Sequence, residues 1–126
     1  LDAAKSLGAP VVELHTGSYC EAQGEERGRL LRRLVDAAKH GEALGLECHA
    51  GHGLSYETVS PVAAIPTIAE LNIGHFLVGE AIFVGLDTTI KRMRALMDEA
   101  RAAIAAHKAA LELAKESVKE SGSGAV

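Results

Sequence analysis

The sequence predicts an α/β fold with a parallel sheet, and three observations carry that reading. Three short apolar runs each close in a polar, glycine-flanked cluster: Glu13-Leu14-His15-Thr16-Gly17, Cys48-His49-Ala50-Gly51-His52-Gly53 and Leu71-Asn72-Ile73-Gly74-His75. Within the runs, apolar residues alternate with Glu, His and Asn at the two-residue period of a strand. A stretch of helical character follows each cluster. Strand, polar loop and helix in repetition is the layout of parallel α/β enzymes, whose reactive groups gather at the carboxyl ends of the strands.

Leu1 to Leu7 reads as the end of a helix stopped by Gly8, a common C-terminal cap. Pro10 to His15 reads as the first strand. From about Glu25 to Leu44 the spacing of Leu30, Leu31, Leu34, Val35 and Ala38 is helical, and Gly45 ends the run. Leu46 to Ala50 is the second strand, with Gly51-His52-Gly53 as its loop. Val59 to Ile65 is a short helix with Pro61 in its first turn, and Pro66 closes it. Ile68 to Ile73 makes the third strand, and His75 to Val84 a helix. After Gly85, a longer amphipathic helix starts near Thr88. Its Ala-rich continuation from Arg101 to about Lys119 alternates with Lys and Glu and reads as a solvated extension. Ser121-Gly122-Ser123-Gly124 has the composition of a flexible tail.

With 126 residues, 48% hydrophobic and 24% charged, the chain has the makings of one domain with a real core. A net charge of −4 argues against nucleic-acid binding, which calls for a basic patch or stripe. No run approaches the roughly 18 apolar residues of a membrane span. The start has no signal-peptide pattern and no initiator Met, so the expected compartment is cytoplasmic and the chain fits a piece of a longer one. Cys20 and Cys48 form no CxxC motif, which speaks against a disulfide framework or a zinc finger.

Strands separated by helices require right-handed crossovers. Three such units are too few to complete a common parallel fold, and a closed (β/α)8 barrel needs about 250 residues. Either more units complete the sheet or copies associate.

Residues two apart in a strand share a face. Glu13 and His15, Glu47 and His49, and Glu70 and Asn72 therefore form one polar face. Val12 and Leu14, Leu46 and Cys48, and Ala69, Leu71 and Ile73 form the other, which should pack under the helices. Buried unpaired polar groups cost several kcal/mol each, on the order of 2–7. The polar face must therefore pair internally, meet water or meet a ligand. Glu47 and Glu70, early in their strands, read as a structural network. Glu13 and His15 lie nearer the reactive edge and fit function as readily as structure. His52 and His75 sit beside glycines, which let a ligand approach the backbone, and His titrates near neutrality. A Gly-His-Gly triplet alone is a weak signal.

Together, Val12-Glu13-Leu14-His15-Thr16-Gly17, Ala50-Gly51-His52-Gly53-Leu54-Ser55-Tyr56-Glu57, Glu70-Leu71-Asn72-Ile73-Gly74-His75 and Ala81-Ile82-Phe83-Val84-Gly85-Leu86 resemble the pyridoxine 5′-phosphate synthase family, in order and at compatible spacing, from Leu1 to about Arg101. The resemblance implies a (β/α)8 TIM-barrel fragment comprising the last three strand–helix units over residues 1–101, with 102–126 as a helical extension and tail. It implies condensation of 1-deoxy-D-xylulose 5-phosphate with 3-amino-2-oxopropyl phosphate and closure of the pyridine ring of vitamin B6. That reaction uses phosphorylated small-molecule substrates and no metal or organic cofactor, in a homo-oligomer. By the same resemblance His52 is the catalytic proton donor and Glu13 the carboxylate that stabilises the reacting intermediate. Gly53, Gly74 and His75 contact the aminoketone phosphate. His49 and Glu80 depart from the family, which usually has Asn and Arg there. The first departure bears on hydrogen bonding around His52, the second on packing or subunit contacts. The amino-terminal half of such a barrel is absent from this sequence, so the chain alone is expected to be inactive.

Two other readings compete. One is a non-catalytic half-barrel that oligomerises through its polar sheet face, since open parallel sheets are rare. The other is a metal site made from His15, His49, His52 and Cys48, which the opposite facing of Cys48 and the absence of HExxH or CxxC spacing disfavour. In the last helix, Ile90, Met93, Leu96 and Met97 read as ordinary core contacts.

Overall fold

The computed structural model describes residues 1–122, with side chains through residue 116. Its order is α1 (Asp2–Ser6), β1 (Val11–His15), α2 (Gly17–Glu21), α3 (Gly24–Ala43), β2 (Glu47–Gly51), α4 (Val59–Ala63), β3 (Ile68–Asn72), α5 (His75–Val84) and α6 (Leu86–Gly122). The strands form one three-stranded parallel sheet in the order β1-β2-β3. The expected strand–loop–helix layout is present. Two elements differ from expectation. A one-turn helix, α2, follows β1 directly, where Gly17-Ser18 offers no apolar period to announce it. The last helix runs unbroken from Leu86, so Ser121 and Gly122 are helical; the rest of the expected tail lies outside the described residues.

Helices cover one face of the sheet. Tyr19 of α2, Ala38 of α3, Cys48 and Ala50 of β2, Leu54, Val62 of α4, Ile65 and Ile68 of β3 form the buried cluster, with Val12, Leu14, Leu30, Leu34 and Leu71 among the residues packed around it. Fully burying a side chain such as Leu54 or Ile68 contributes about 1.5–3 kcal/mol. Exposed ion pairs such as Lys91–Asp87 contribute at most about 1 kcal/mol. The covered apolar face therefore holds the layers together.

The opposite face stays open, with Glu13, His15, Glu47, Glu70 and Asn72 all exposed. One position departs from simple alternation. Cys48 pairs with Ile68 and His49 with Glu70, so the register steps over Ala69. This bulge places Ile68 in the core at 1% exposure and leaves Ala69, expected on the apolar face, exposed. In α6, Met93 is buried and Leu96 and Met97 are half-buried, as expected of core contacts. Ile90 is 48% exposed and is not a core residue. The described part of the extension, residues 101–116, is exposed throughout. Helix α5 also leaves Val78, Ile82 and Phe83 largely uncovered. Among the described residues no helix is long and apolar enough to cross a membrane.

Close approach of α3 to β2 depends on a small residue. A Cβ at Gly41 would lie 2.3 Å from Cys48 Sγ, which is itself buried. Burial also pushes the Cys48 thiol pKa up, holding it as the neutral thiol that an apolar layer requires. In the same last turn of α3, His40 Nε2 lies 2.8 Å from Asp2 Oδ2 and ties α1 down. The hydrogen bond from His40 lowers the Asp2 pKa below the usual carboxylate range.

Helix propensity favours Ala over Gly by about 1 kcal/mol, but overpacking costs about 1–3 kcal/mol. Gly41→Ala should therefore lower stability by up to about 2 kcal/mol in urea unfolding. In a Cys48→Ala background the same change should be neutral or stabilising; equal losses in both backgrounds would contradict the contact. Because the folded Asp2 pKa is depressed, its contribution is complete above the unfolded value and is lost as pH falls through the folded one. Acidification should release α1 before the core unfolds, and Asp2→Asn should abolish that early step in hydrogen exchange.

Candidate active site

The parallel register brings three strand ends to one edge. His15 pairs with Gly51, and Gly51 with Asn72, so the residues that follow leave the sheet side by side. Glu13, His52, Gly53, Asn72, Gly74 and His75 line one cavity of about 690 Å³ at that edge. The five residues to which the family resemblance gives roles are among them, whereas His15 is not.

Glu13 projects from β1 onto the open face, where Asn72 Nδ2 donates to its Oε2 at 2.8 Å. Gly51 sits beneath this pair. A Cβ there would come within 2.6 Å of Glu13 Oε1 and 2.7 Å of the Asn72 carbonyl oxygen. The absence of a side chain is thus what lets β1 and β3 join hands across β2. The strand period puts Asn72 on the polar face without marking it as a site residue; its amide orients the Glu13 carboxylate.

His52 follows β2 and has φ +82°, the sole non-glycine with positive φ among the described residues. Its ring stacks on that of His15, with centroids 4.2 Å apart and planes inclined by 27°. Gly17 makes room for the pair, since a Cβ there would lie 2.6 Å from His15 Cε1 and 3.0 Å from His52 Cδ2. The Gly17 N–H donates to His15 Nδ1 at 3.3 Å. His15 lies behind His52 and lines a separate groove with Ser18, Tyr19 and Arg33.

Thr16, which no motif marks as functional, is fully buried between these groups. Its N–H donates to the Gly51 carbonyl at 2.7 Å. Its hydroxyl is directed at two carbonyls, that of Gly51 at 2.7 Å and that of His52 at 2.6 Å. The available signal was a hydroxyl residue just before a helix, a position usually read as an N-cap. Here the side chain makes no cap bond to α2.

His75 opens α5, with Gly74 as its N-cap. The first-turn N–H groups of a helix lack intrahelical partners and face outward with the positive end of the helix dipole. Backbone donors and an imidazole thus meet at one side of the cavity, a suitable seat for an anion.

His49 is turned away from this chemistry. Its Nε2 lies 2.7 Å from Glu47 Oε1 and its Nδ1 lies 3.7 Å from Glu70 Oε1, a network deeper on the open face. Among the described residues no group of three or more His, Cys, Asp and Glu side chains is placed to hold a metal ion.

Gly51→Ala should break the Glu13–Asn72 bond and cost about 1–3 kcal/mol. Gly74 has open space at its Cβ and an ordinary negative φ, so Gly74→Ala should change stability by no more than about 0.5 kcal/mol. Paired urea titrations of the two variants check this, and equal losses would refute the tight packing beneath Glu13.

Residues 1–99 match the family model described as "Pyridoxal phosphate biosynthesis protein PdxJ". A pyridoxine 5′-phosphate synthase of Rhodospirillum rubrum is 69% identical over 101 residues, covering 79% of this chain and 41% of that protein. The Zymomonas mobilis enzyme of the same name is 62% identical over 100 residues, 79% of this chain and 39% of its own. That of a Jannaschia species is 58% identical over 105 residues, with 80% and 42% covered. The chain spans about two fifths of the length of the curated relatives it matches. With about four fifths of its length inside the family match, this chain belongs to the PdxJ family of pyridoxal phosphate biosynthesis proteins.

Proposed function

We propose that residues 1–101 are the last three strand–helix units of a (β/α)8 barrel that makes pyridoxine 5′-phosphate, and that 102–126 are an appended helical extension and tail. The observation that carries this reading is the single cavity at the carboxyl edge of three parallel strands, shared by Glu13, His52, Gly53, Gly74 and His75. The open polar face supports it as well. Parallel sheets are normally covered on both sides, and curling the sheet into a barrel would turn Glu13, Glu47 and Glu70 inward.

In this reading 1-deoxy-D-xylulose 5-phosphate condenses with 3-amino-2-oxopropyl phosphate, with loss of water and phosphate as the ring closes. The phosphate of the aminoketone sits at the start of α5, against His75, Gly74 and the backbone of Gly53. Held there, it turns remote binding energy into alignment of the reacting carbons. The Glu13 carboxylate, steadied on one oxygen by Asn72, keeps its other oxygen for positive charge that develops on the condensing nitrogen. His52 stands exposed across the cavity and supplies the proton to a departing oxygen. Positioned acid–base groups contribute about 10²- to 10⁴-fold each. No step calls on a metal or organic cofactor. The remaining acid–base groups and the sugar-phosphate contacts belong to the other strands of the barrel, so this chain alone does not turn over. The assembly is a cytoplasmic homo-oligomer, for which the uncovered apolar side of α5 provides contact area.

A fusion of the remaining part of the Rhodospirillum rubrum relative to this chain tests the proposal. The fusion should form pyridoxine 5′-phosphate while the chain alone does not. His52→Gln in the fusion should lower kcat by about 10²-fold or more, and His75→Ala should act mainly on KM for the aminoketone phosphate. Turnover by the isolated chain, or full activity of the His52→Gln fusion, would overturn these assignments.

A further inference from the structure

We propose that Thr16 is a positioning residue for His52, its buried hydroxyl holding the His52 carbonyl and with it the backbone turn that lays the imidazole against His15. The inference deepens the reading of His52 as proton donor and rests on it. It begins from a mismatch between residue and backbone. His52 and Gly53 have φ +82° and +79° in succession. Glycine occupies that region freely, whereas a residue with a Cβ persists there only when its surroundings hold it. A glycine at 52 would relieve the mismatch, so the imidazole is present for what it does, and something must hold the turn.

The described contacts of the His52 carbonyl identify the holder. Thr16 Oγ1 lies 2.6 Å away, while Cys20 Sγ, a weak donor, lies at 3.8 Å. Thr16 is wholly buried, so water does not compete for its hydroxyl. The Gly51 carbonyl has a second donor in the Thr16 N–H. Removing the hydroxyl therefore spares the β1–β2 connection and frees only the His52 peptide. The ring is then held on its other side by the stack on His15, which Gly17 permits. Hydroxyl and ring act on one residue from two directions, one fixing its backbone and the other its imidazole plane.

The test compares the full chain with Thr16→Val, which keeps the shape and removes the donor, and Thr16→Ser, which keeps the donor. NMR of the unaltered chain should show a slowly exchanging Thr16 hydroxyl proton beside His52, and NOEs between the His15 and His52 rings. Thr16→Val should lose the ring-to-ring NOEs and shift the His52 three-bond amide coupling, with Ile68 and Val62 resonances unmoved; Thr16→Ser should keep both signals. In the fusion enzyme, Thr16→Val should lower kcat about 10-fold or more, leave KM within about twofold, and be rescued by Thr16→Ser. A Thr16 hydroxyl proton in fast exchange with water overturns the proposal even if the Val variant does not fold. So does a Val variant with the native His52 coupling and ring NOEs, or a Ser variant as impaired as Val. An inactive fusion would sink the enzymatic reading alone, because the NMR signals judge the role of Thr16 without substrate.

Discussion

Everything at the candidate site depends on the in-register parallel pairing of three five-residue strands. Because His15, Gly51 and Asn72 pair across the sheet, Thr16, His52 and Ile73 emerge at the same edge, and the start of α5 follows two residues later. A slip of one residue in β1 would turn Glu13 and His15 into the helix layer and Val12 and Leu14 onto the open face. The apolar layer under the helices prevents that slip. Its side chains are worth far more buried than exposed, so the same burial that stabilises the fold also delivers the carboxylate and the imidazoles to one cavity.

Small residues set the distances within that frame. Gly51 lets Glu13 and Asn72 meet over β2, Gly17 lets two imidazoles stack, and Gly41 lets α3 settle onto Cys48. Each absence of a Cβ serves a different layer: the first the Glu13 carboxylate, the second the stacked imidazoles of His15 and His52, the third the packing beneath both. The fold is therefore tight under the site and open above it. Glu13, His52 and His75 are all exposed to the cavity while Thr16, Gly17, Gly51 and Leu54 beneath them are buried.

Much of this arrangement was legible from the residues. The strand period of Val12-Glu13-Leu14-His15 and the helical spacing of Leu30, Leu34 and Ala38 carry their own structure, because side-chain patterning reports which face is buried. What stayed hidden depends on contacts between segments far apart in the chain. Ala69 looked apolar by alternation, but a bulge opposite Cys48 and His49 moved it out and put Ile68 in its place. Helix α2 has five residues and no apolar period. His49 was weighed as a neighbour of His52, yet its ring is taken up by Glu47 and Glu70. Thr16 carried no sign of its role, because its partners are carbonyls 35 and 36 residues away. The cluster motifs carry the groups that line the cavity, and they are silent on the groups that hold those in place.

The central claim is that Gly53, Gly74 and His75 form one anion seat within reach of His52 and Glu13. Titrating the ¹⁵N-labelled chain with inorganic phosphate measures this directly. The account predicts amide shifts concentrated at Gly53, Gly74 and His75 that saturate together at a single affinity. Shifts scattered over the Lys and Arg residues of α6, or different affinities at Gly53 and His75, would contradict it.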